Sequence, residues 1–375
     1  MGAFIVIAVG VTLAIVFCMI YAARRTASFP FVQELTKGRR RRAYWISLSV
    51  YLVVFLILSL WLNVFNAVIC IVHLGGFWLL SELLFLIVRK LSHKKISSTV
   101  PGIGAILFTV CYMITAWYLC TNVIERDYSL ERAKLKGDLR IVHFADSHVG
   151  STFDAQGLLN YVQEINALHP DLVVITGDFV DDNTSLENMT GSCEALGALE
   201  TKYGVYFSYG NHDKGYFNDE AKGWNNQDLL DNLERNNVIV LQDEARLIDD
   251  RFYVIGRQDK SEADRGGSRK TPAELVSGLD PDLYKIVLDH QPCEYDEEAK
   301  AGVDLVLSGH THGGQFFPFN QIGVVTGSYD RSNGHGRRGD TDFIVTSGIS
   351  DWALIFKTGC RSEYVVVDVH GVSGS

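Results

Sequence analysis

The sequence predicts an α/β layered domain preceded by an α-helical membrane region of about four helices. Three observations carry this prediction. Residues 1–122 hold four apolar stretches, each near the length needed to cross a bilayer. From residue 139 onward, short runs rich in Val, Ile and Leu alternate with polar, helix-like stretches, the pattern of a layered sheet covered by helices. Several of those runs lead directly into glycine-flanked Asp, Asn and His residues.

The apolar stretches cover about 3–22, 44–62, 67–88 and 102–120. The first lacks the basic leader of a signal peptide, and its charges, Arg24 and Arg25, follow it, so it reads as a retained helix. The connection 23–43 carries Arg24, Arg25, Lys37 and Arg39 through Arg42. The connection 89–101 carries Arg89, Lys90, Lys94 and Lys95, and the turn between the second and third stretches carries no charge. Basic loops stay in the cytoplasm. The expected topology is therefore a multi-pass plasma-membrane protein with everything after residue 120 on the extracytoplasmic face. His73 and Glu82 interrupt the third stretch. Ionisable groups are costly there and are often functional. The simpler reading is a neutral Glu82 bonded to a neighbouring helix, or a Glu82 reaching the interface.

Charge divides unevenly. Residues 1–123 hold eleven Lys/Arg against Glu34 and Glu82, a net of +9 in a chain of −10, which leaves −19 for the remainder. An acidic domain does not grip nucleic acid through a basic surface, and no nucleic-acid partner is expected. Four of the seven cysteines, Cys18, Cys70, Cys111 and Cys120, fall in the apolar region. Cys193, Cys293 and Cys360 follow it. An odd trio without CxxC spacing reads as small core residues and not as a disulfide framework.

Residues 123–138 are charged and read as a linker, with the layered α/β domain spanning 139–370. Strands are expected at 140–145, 172–176, 203–208, 238–241, 252–256, 284–289, 303–308, 343–346 and 363–369. Helices are expected near 155–168, 186–199, 226–235 and 294–300. The Gly/Arg/Asp-rich stretches 259–270 and 327–342 read as surface loops.

The chemistry-bearing residues sit at the ends of apolar runs: Asp146 and His148; Gly177 and Asp178; Gly210, Asn211, His212 and Asp213; His290; and Gly309, His310 and His312. Hard and borderline cations need several carboxylate, imidazole and amide ligands at one point, and strand ends of an α/β sheet converge in that way. Taken singly, any of these residues reads as a turn or a cap. Their joint order points to a two-metal hydrolase.

This ordered set resembles the motifs of the calcineurin-like metallophosphoesterases. The GHTHGGQ run, Gly309 to Gln315, is similar to a membrane-anchored subgroup of that family. The resemblance sharpens the fold to a four-layer α/β/β/α metallophosphoesterase sandwich. It implies one metal held by Asp146, His148, Asp178 and His312. It implies a second held by Asp178, Asn211, His290 and His310, with Asp178 bridging. It keeps His212 off the metals, facing the phosphoryl group, with Asp213 orienting the imidazole and favouring its charged form. The ions would be manganese, iron or zinc, and metal-bound hydroxide the nucleophile. The segment Trp352 to Gly359 departs from the subgroup by lacking its Pro and Arg, with Lys357 near the expected basic position, which puts substrate contact there in doubt.

The expected function is a membrane-anchored, metal-dependent phosphohydrolase acting on phosphoester bonds. Anchoring makes a lipid-linked or cell-envelope phosphoester an attractive substrate and membrane lipids the expected surroundings. The alternative is a non-catalytic membrane receptor or scaffold that binds a phosphorylated ligand on the same fold. Retention of His212 beside Asp213 counts against it. Transport fits less well, because few polar residues interrupt the apolar stretches.

Overall fold

The computed structural model describes residues 2–93, 97, 99–216 and 222–372. Lys94 and Lys95 of the second basic connection lie outside the described residues. The chain divides into two compact units, 1–117 and 118–375.

In the first unit the apolar stretches are helices: α1 (Gly2–Thr26), α3 (Arg40–Trp61) and α4 (Val64–Ser92), with α5 (Thr99–Thr121) running on into the second unit. A short helix, α2 (Pro30–Leu35), breaks the first basic connection, with Pro at its first turn, where no backbone N–H is needed. Among the described residues, four helices are long and apolar enough to cross a membrane. Small residues let them approach closely: Ala22, Ala23 and Ala43 pack with Trp78. Glu82 of α4 bonds a neighbouring helix, but as one half of an ion pair with the Arg25 guanidinium of α1 and not as a neutral carboxyl.

The second unit stacks two six-stranded sheets. The first sheet has the order β1 (Ile124–Lys136), β12 (Glu363–Val372), β2 (Leu139–Phe144), β3 (Leu172–Thr176), β4 (Val205–Ser208) and β5 (Val238–Val240). The second has β10 (Gly334–Arg338), β11 (Thr341–Val345), β9 (Leu305–Ser308), β8 (Tyr284–Leu288), β7 (Phe252–Gly256) and β6 (Glu244–Ile248). Alternation along each strand sends successive side chains to opposite faces. Ile141, Leu172 and Val174 meet Phe252, Ile286 and Leu307 between the sheets. Val142, Phe144 and Val173 point the other way, onto α6 (Ala155–Ala167), α7 (Leu186–Gly197) and α8 (Asn226–Arg235). On the far side Ile255, Val287 and Phe343 pack with Leu275 and Tyr295, carried by α9 (Pro272–Val276) and α10 (Tyr295–Lys300). The result is the expected four-layer α/β/β/α sandwich.

The stretch read as a linker is different. Residues 124–136 form the 13-residue edge strand β1, paired in parallel with β12. Its buried Leu130 and Leu135 enter the inter-sheet core. Its basic residues are paired: Arg126 bonds Glu363 of the neighbouring β12 at 2.7 Å, while Lys134 bonds Asp304 at 2.7 Å and Arg132 bonds Asp342, both at the second sheet. A charged edge strand reads as linker in one dimension, because its partners lie more than 150 residues away. The 327–342 loop likewise contains a strand, β10, which pairs with β11.

Candidate metal centre

Strands β2, β3 and β4 run parallel in one sheet, and β7, β8, β9 and β11 run parallel in the other. Their carboxyl ends deliver Asp146 and His148, Asp178, Asn211 to Asp213, His290, and His310 to His312 to one place. Two groups of possible ligands result: Asp146, His148 and His312; and Asp178, His290 and His310. Within each group the ligand atoms all lie within 4.8 Å of one another. Asp178 reaches both groups. Its Oδ2 is 3.6 Å from His148 Nε2 and 3.2 Å from His290 Nε2. Asn211 Oδ1 is 3.1 Å from His290 Nε2, while its amide nitrogen donates to Tyr216 Oη at 2.9 Å. That second bond turns the amide oxygen, the end able to hold a cation, inward.

The backbone is strained where it turns these side chains in. Asp146, His148, Asp178, His310 and His312 all have positive φ, a region costly for residues with a Cβ and concentrated at functional sites. Hydrogen bonds hold the strain in place. His310 N donates to the Asp146 carboxylate at 3.0 Å, and His212 N donates to Asp178 Oδ1 at 2.8 Å. Gly177 is required where the β3 and β4 turns meet, since a Cβ there would lie 2.2 Å from Gly210 N.

Each imidazole is fixed on its outer side. His290 Nδ1 donates to Thr176 O at 2.7 Å, and His310 Nε2 meets Tyr329 Oη at 3.0 Å. His148 Nδ1 faces Asp181 Oδ2 at 3.3 Å, and His312 Nδ1 faces Asp351 Oδ1 at 3.2 Å. Partners of this kind set the tautomer and aim the free nitrogen. Asp181, Asp351 and Tyr329 were not singled out from the sequence, because they act through a histidine and not through a motif. Asp181 carried the only local signal, lying three residues beyond Asp178.

The donor set suits divalent cations. His148 is fully buried, yet its Nε2 has no hydrogen-bond partner among the described residues. Burial pushes the Asp146 carboxyl up to about 7. Burial works against charge at His290 too, yet Asp178 and Asp146 raise its pKa well above the usual imidazole range. Two buried carboxylates thus draw positive charge from the nearest imidazole, and cations would supply that charge instead. Carboxylate, imidazole and amide donors without a thiolate fit manganese, iron or zinc.

Asp213 does not do what the sequence suggested. Its Oδ1 accepts from Phe179 N and Val180 N at 2.8 and 3.2 Å, and its Oδ2 accepts from Asp178 N and Gly210 N at 2.9 and 2.7 Å. A fully buried carboxylate with four backbone donors braces the β3 and β4 turns instead of orienting His212. The His212 ring lies among Trp352, Tyr216 and His148, with centroids at 5.0, 5.1 and 5.2 Å. Burial lowers its pKa, against the expected charged form.

Lys357 is closed to substrate. It is fully buried, and its Nζ donates to Ser347 O, Ser350 O and Ser362 Oγ at 2.7, 2.8 and 3.1 Å. The β10 cations are also engaged, with Arg338 paired to Asp296 and to Asp330 at 2.7 Å. In the 259–270 stretch Arg265 reaches the site as a clamp, donating to Gly215 O and Asn211 O at 2.8 and 3.0 Å.

The fold and site together define a four-layer sandwich with paired His/Asp centres at its strand ends. The sequence profile of the calcineurin-like phosphoesterases matches residues 139–314. An uncharacterized metallophosphoesterase of Aquifex aeolicus is 35% identical over 194 residues, covering 51% of this chain and 70% of that one. One from Campylobacter jejuni is 31% identical over 252 residues, covering 66% of this chain and 63% of its own. A cattle protein named as a transmembrane protein with metallophosphoesterase domain is 30% identical over 234 residues, covering 60% of this chain and 51% of its own. The chain belongs to the calcineurin-like phosphoesterase family. It spans between half and two thirds of the length of the last two relatives.

Proposed function

We propose that the chain is a membrane-anchored phosphohydrolase using two divalent cations. Asp146, His148, Asp178 and His312 hold one, and Asp178, Asn211, His290 and His310 hold the other. The observation that carries this is Asp178, whose single oxygen faces an imidazole of each group. Bound there, the cations would supply charge neutralisation for a phosphoryl group and an acidified water.

The chain's own groups do the rest. Asp181, Asp351, Thr176 and Tyr329 keep the imidazoles aimed. His212 sits half-buried between the exposed Trp352 and Tyr216, at the mouth of the site. A neutral imidazole still donates one N–H, enough to bind a phosphoryl oxygen or the leaving oxygen. The basic connections Arg24–Arg42 and Arg89–Lys90 support the extracytoplasmic face for the domain.

The test uses the full chain in detergent. It is stripped of metal, reloaded with manganese, iron or zinc, and assayed on p-nitrophenyl phosphate and bis-p-nitrophenyl phosphate. Metal-dependent turnover supports the reading. A folded, metal-loaded chain inert on both esters counts against it. Sidedness is read from a cysteine at the exposed Asp250. Labelling by an impermeant thiol reagent only after lysis would reverse the topology.

A further inference from the structure

We propose that residues 316–325 form a surface that dips into the bilayer carrying the chain's own helices, and that the site therefore takes a phosphoester borne by a lipid. This rests on the phosphohydrolase reading above and names its substrate class. Phe317, Phe319, Ile322 and Val325 are 67, 67, 61 and 83% exposed. No Asp, Glu, Lys or Arg occurs from His310 through Tyr329. Side chains this apolar are exposed together at surfaces that meet a partner or a membrane.

The occupant follows from what lies beside the patch. Residues 358–362 bind the C-terminal end of α5 on one side and the patch on the other. Ser362 N and Oγ donate to Leu119 O and Cys120 O at 3.0 and 2.7 Å, and Arg361 Nε donates to Asn122 O at 2.9 Å. Two residues earlier, Thr358 N and Gly359 N both donate to Gln315 O at 2.8 Å, and Phe317 N donates to Thr358 Oγ1 at 3.1 Å. The patch is thus fastened within a few residues of where an apolar helix ends. The exposed Tyr118 marks that end, with the Arg361 guanidinium 5.3 Å from its ring centroid. Aromatic and cationic residues at a helix end belong to the headgroup layer.

The patch is also wired to both metal groups. At its start, Gln315 Nε2 donates to Asp351 Oδ1 at 2.6 Å, and that oxygen faces His312. At its end, Tyr329 bonds His310, and its ring packs where a Gly323 side chain would otherwise stand. A lipid headgroup at the interface is thereby presented beside the site. Hydrolysis joins the water oxygen to phosphorus, breaks the ester P–O bond, and releases the lipid alcohol with the proton.

The test uses the full chain in phosphatidylcholine–phosphatidylglycerol vesicles with brominated acyl chains. A bimane label is placed at Val325→Cys or, as control, at Asp250→Cys, with the exposed Cys111 changed to Ser. Quenching at Val325 but not at Asp250 is expected. Equal quenching at both overturns the proposal. So does a Val325 label shielded from iodide only as protein density rises, because that result means a second copy covers the patch. In the triple variant F317S/F319S/V325S, hydrolysis of vesicle-borne phosphatidic acid should fall about tenfold while p-nitrophenyl phosphate turnover holds. Equal loss of both activities overturns the proposal. A wild-type chain inert on p-nitrophenyl phosphate counts against the catalytic reading alone, and the quenching result stands apart from it.

Discussion

Replacing Asp213 with Asn separates a structural brace from a catalytic orienter. The carboxylate serves four buried backbone donors, two on each oxygen. An amide keeps one acceptor oxygen and turns an N–H₂ toward the other pair. Two buried N–H groups lose their partner, at about 1–3 kcal/mol each. Relief of a buried charge offsets part of that, leaving a net loss of about 2–4 kcal/mol. In a domain of this size each kcal/mol lowers Tm by about 2–4 °C, so a drop of about 5–15 °C is expected. The same N–H groups belong to the turns that aim Asp178 and Asn211, so metal content should fall with stability. Thermal unfolding by circular dichroism and metal analysis by mass spectrometry, both on the full chain in detergent, read the two effects. A variant with unchanged Tm and full metal content, but little turnover, would refute the brace and restore the orienting role.

Other substitutions divide the site further. His212→Asn should lower turnover by about 10²–10⁴-fold with metal content unchanged if, as proposed, the ring faces substrate and holds no cation; metal loss would reject that assignment. Asp351→Asn should weaken metal binding by about 10–100-fold through His312, measured by competition with a chelating dye; unchanged affinity would remove Asp351 from the site. His143 is fully buried against Thr176 Oγ1 at 2.8 Å, and burial lowers its pKa to about 3. The unfolded chain binds its proton near pH 6.5 and the folded chain does not, so His143 costs about 1.4 kcal/mol for each pH unit from 6.5 down toward 3. His143→Gln should therefore flatten the decline of Tm with acid over that window. Parallel curves for variant and wild type would exclude the effect.

Much of the site was legible because its residues come in short strings at strand ends. Gly210 to Asp213 and Gly309 to His312 each combine a turn with ligand-type side chains, and hydrophobic runs marked the strands that carry them. What escaped was whatever depends on a partner remote in sequence. Strand β1 looked like a linker because its basic residues are matched by Glu363, Asp342 and Asp304, all remote in sequence. Asp351 and Tyr329 matter only through the histidines they face. Asp213 was given the wrong task because adjacency to His212 along the chain says nothing about which way a carboxylate points. Lys357 stood at a position suited to substrate, and only the packing around it shows that it is buried.

We propose a buried site for two cations that share Asp178. Its most direct test is a manganese titration of the metal-stripped full chain, with bound metal counted by mass spectrometry. Two ions per wild-type chain, and at most one in Asp178→Asn, are predicted. A folded wild-type chain that binds none, or an Asp178→Asn chain that still binds two with the same affinity, would exclude a shared two-cation site.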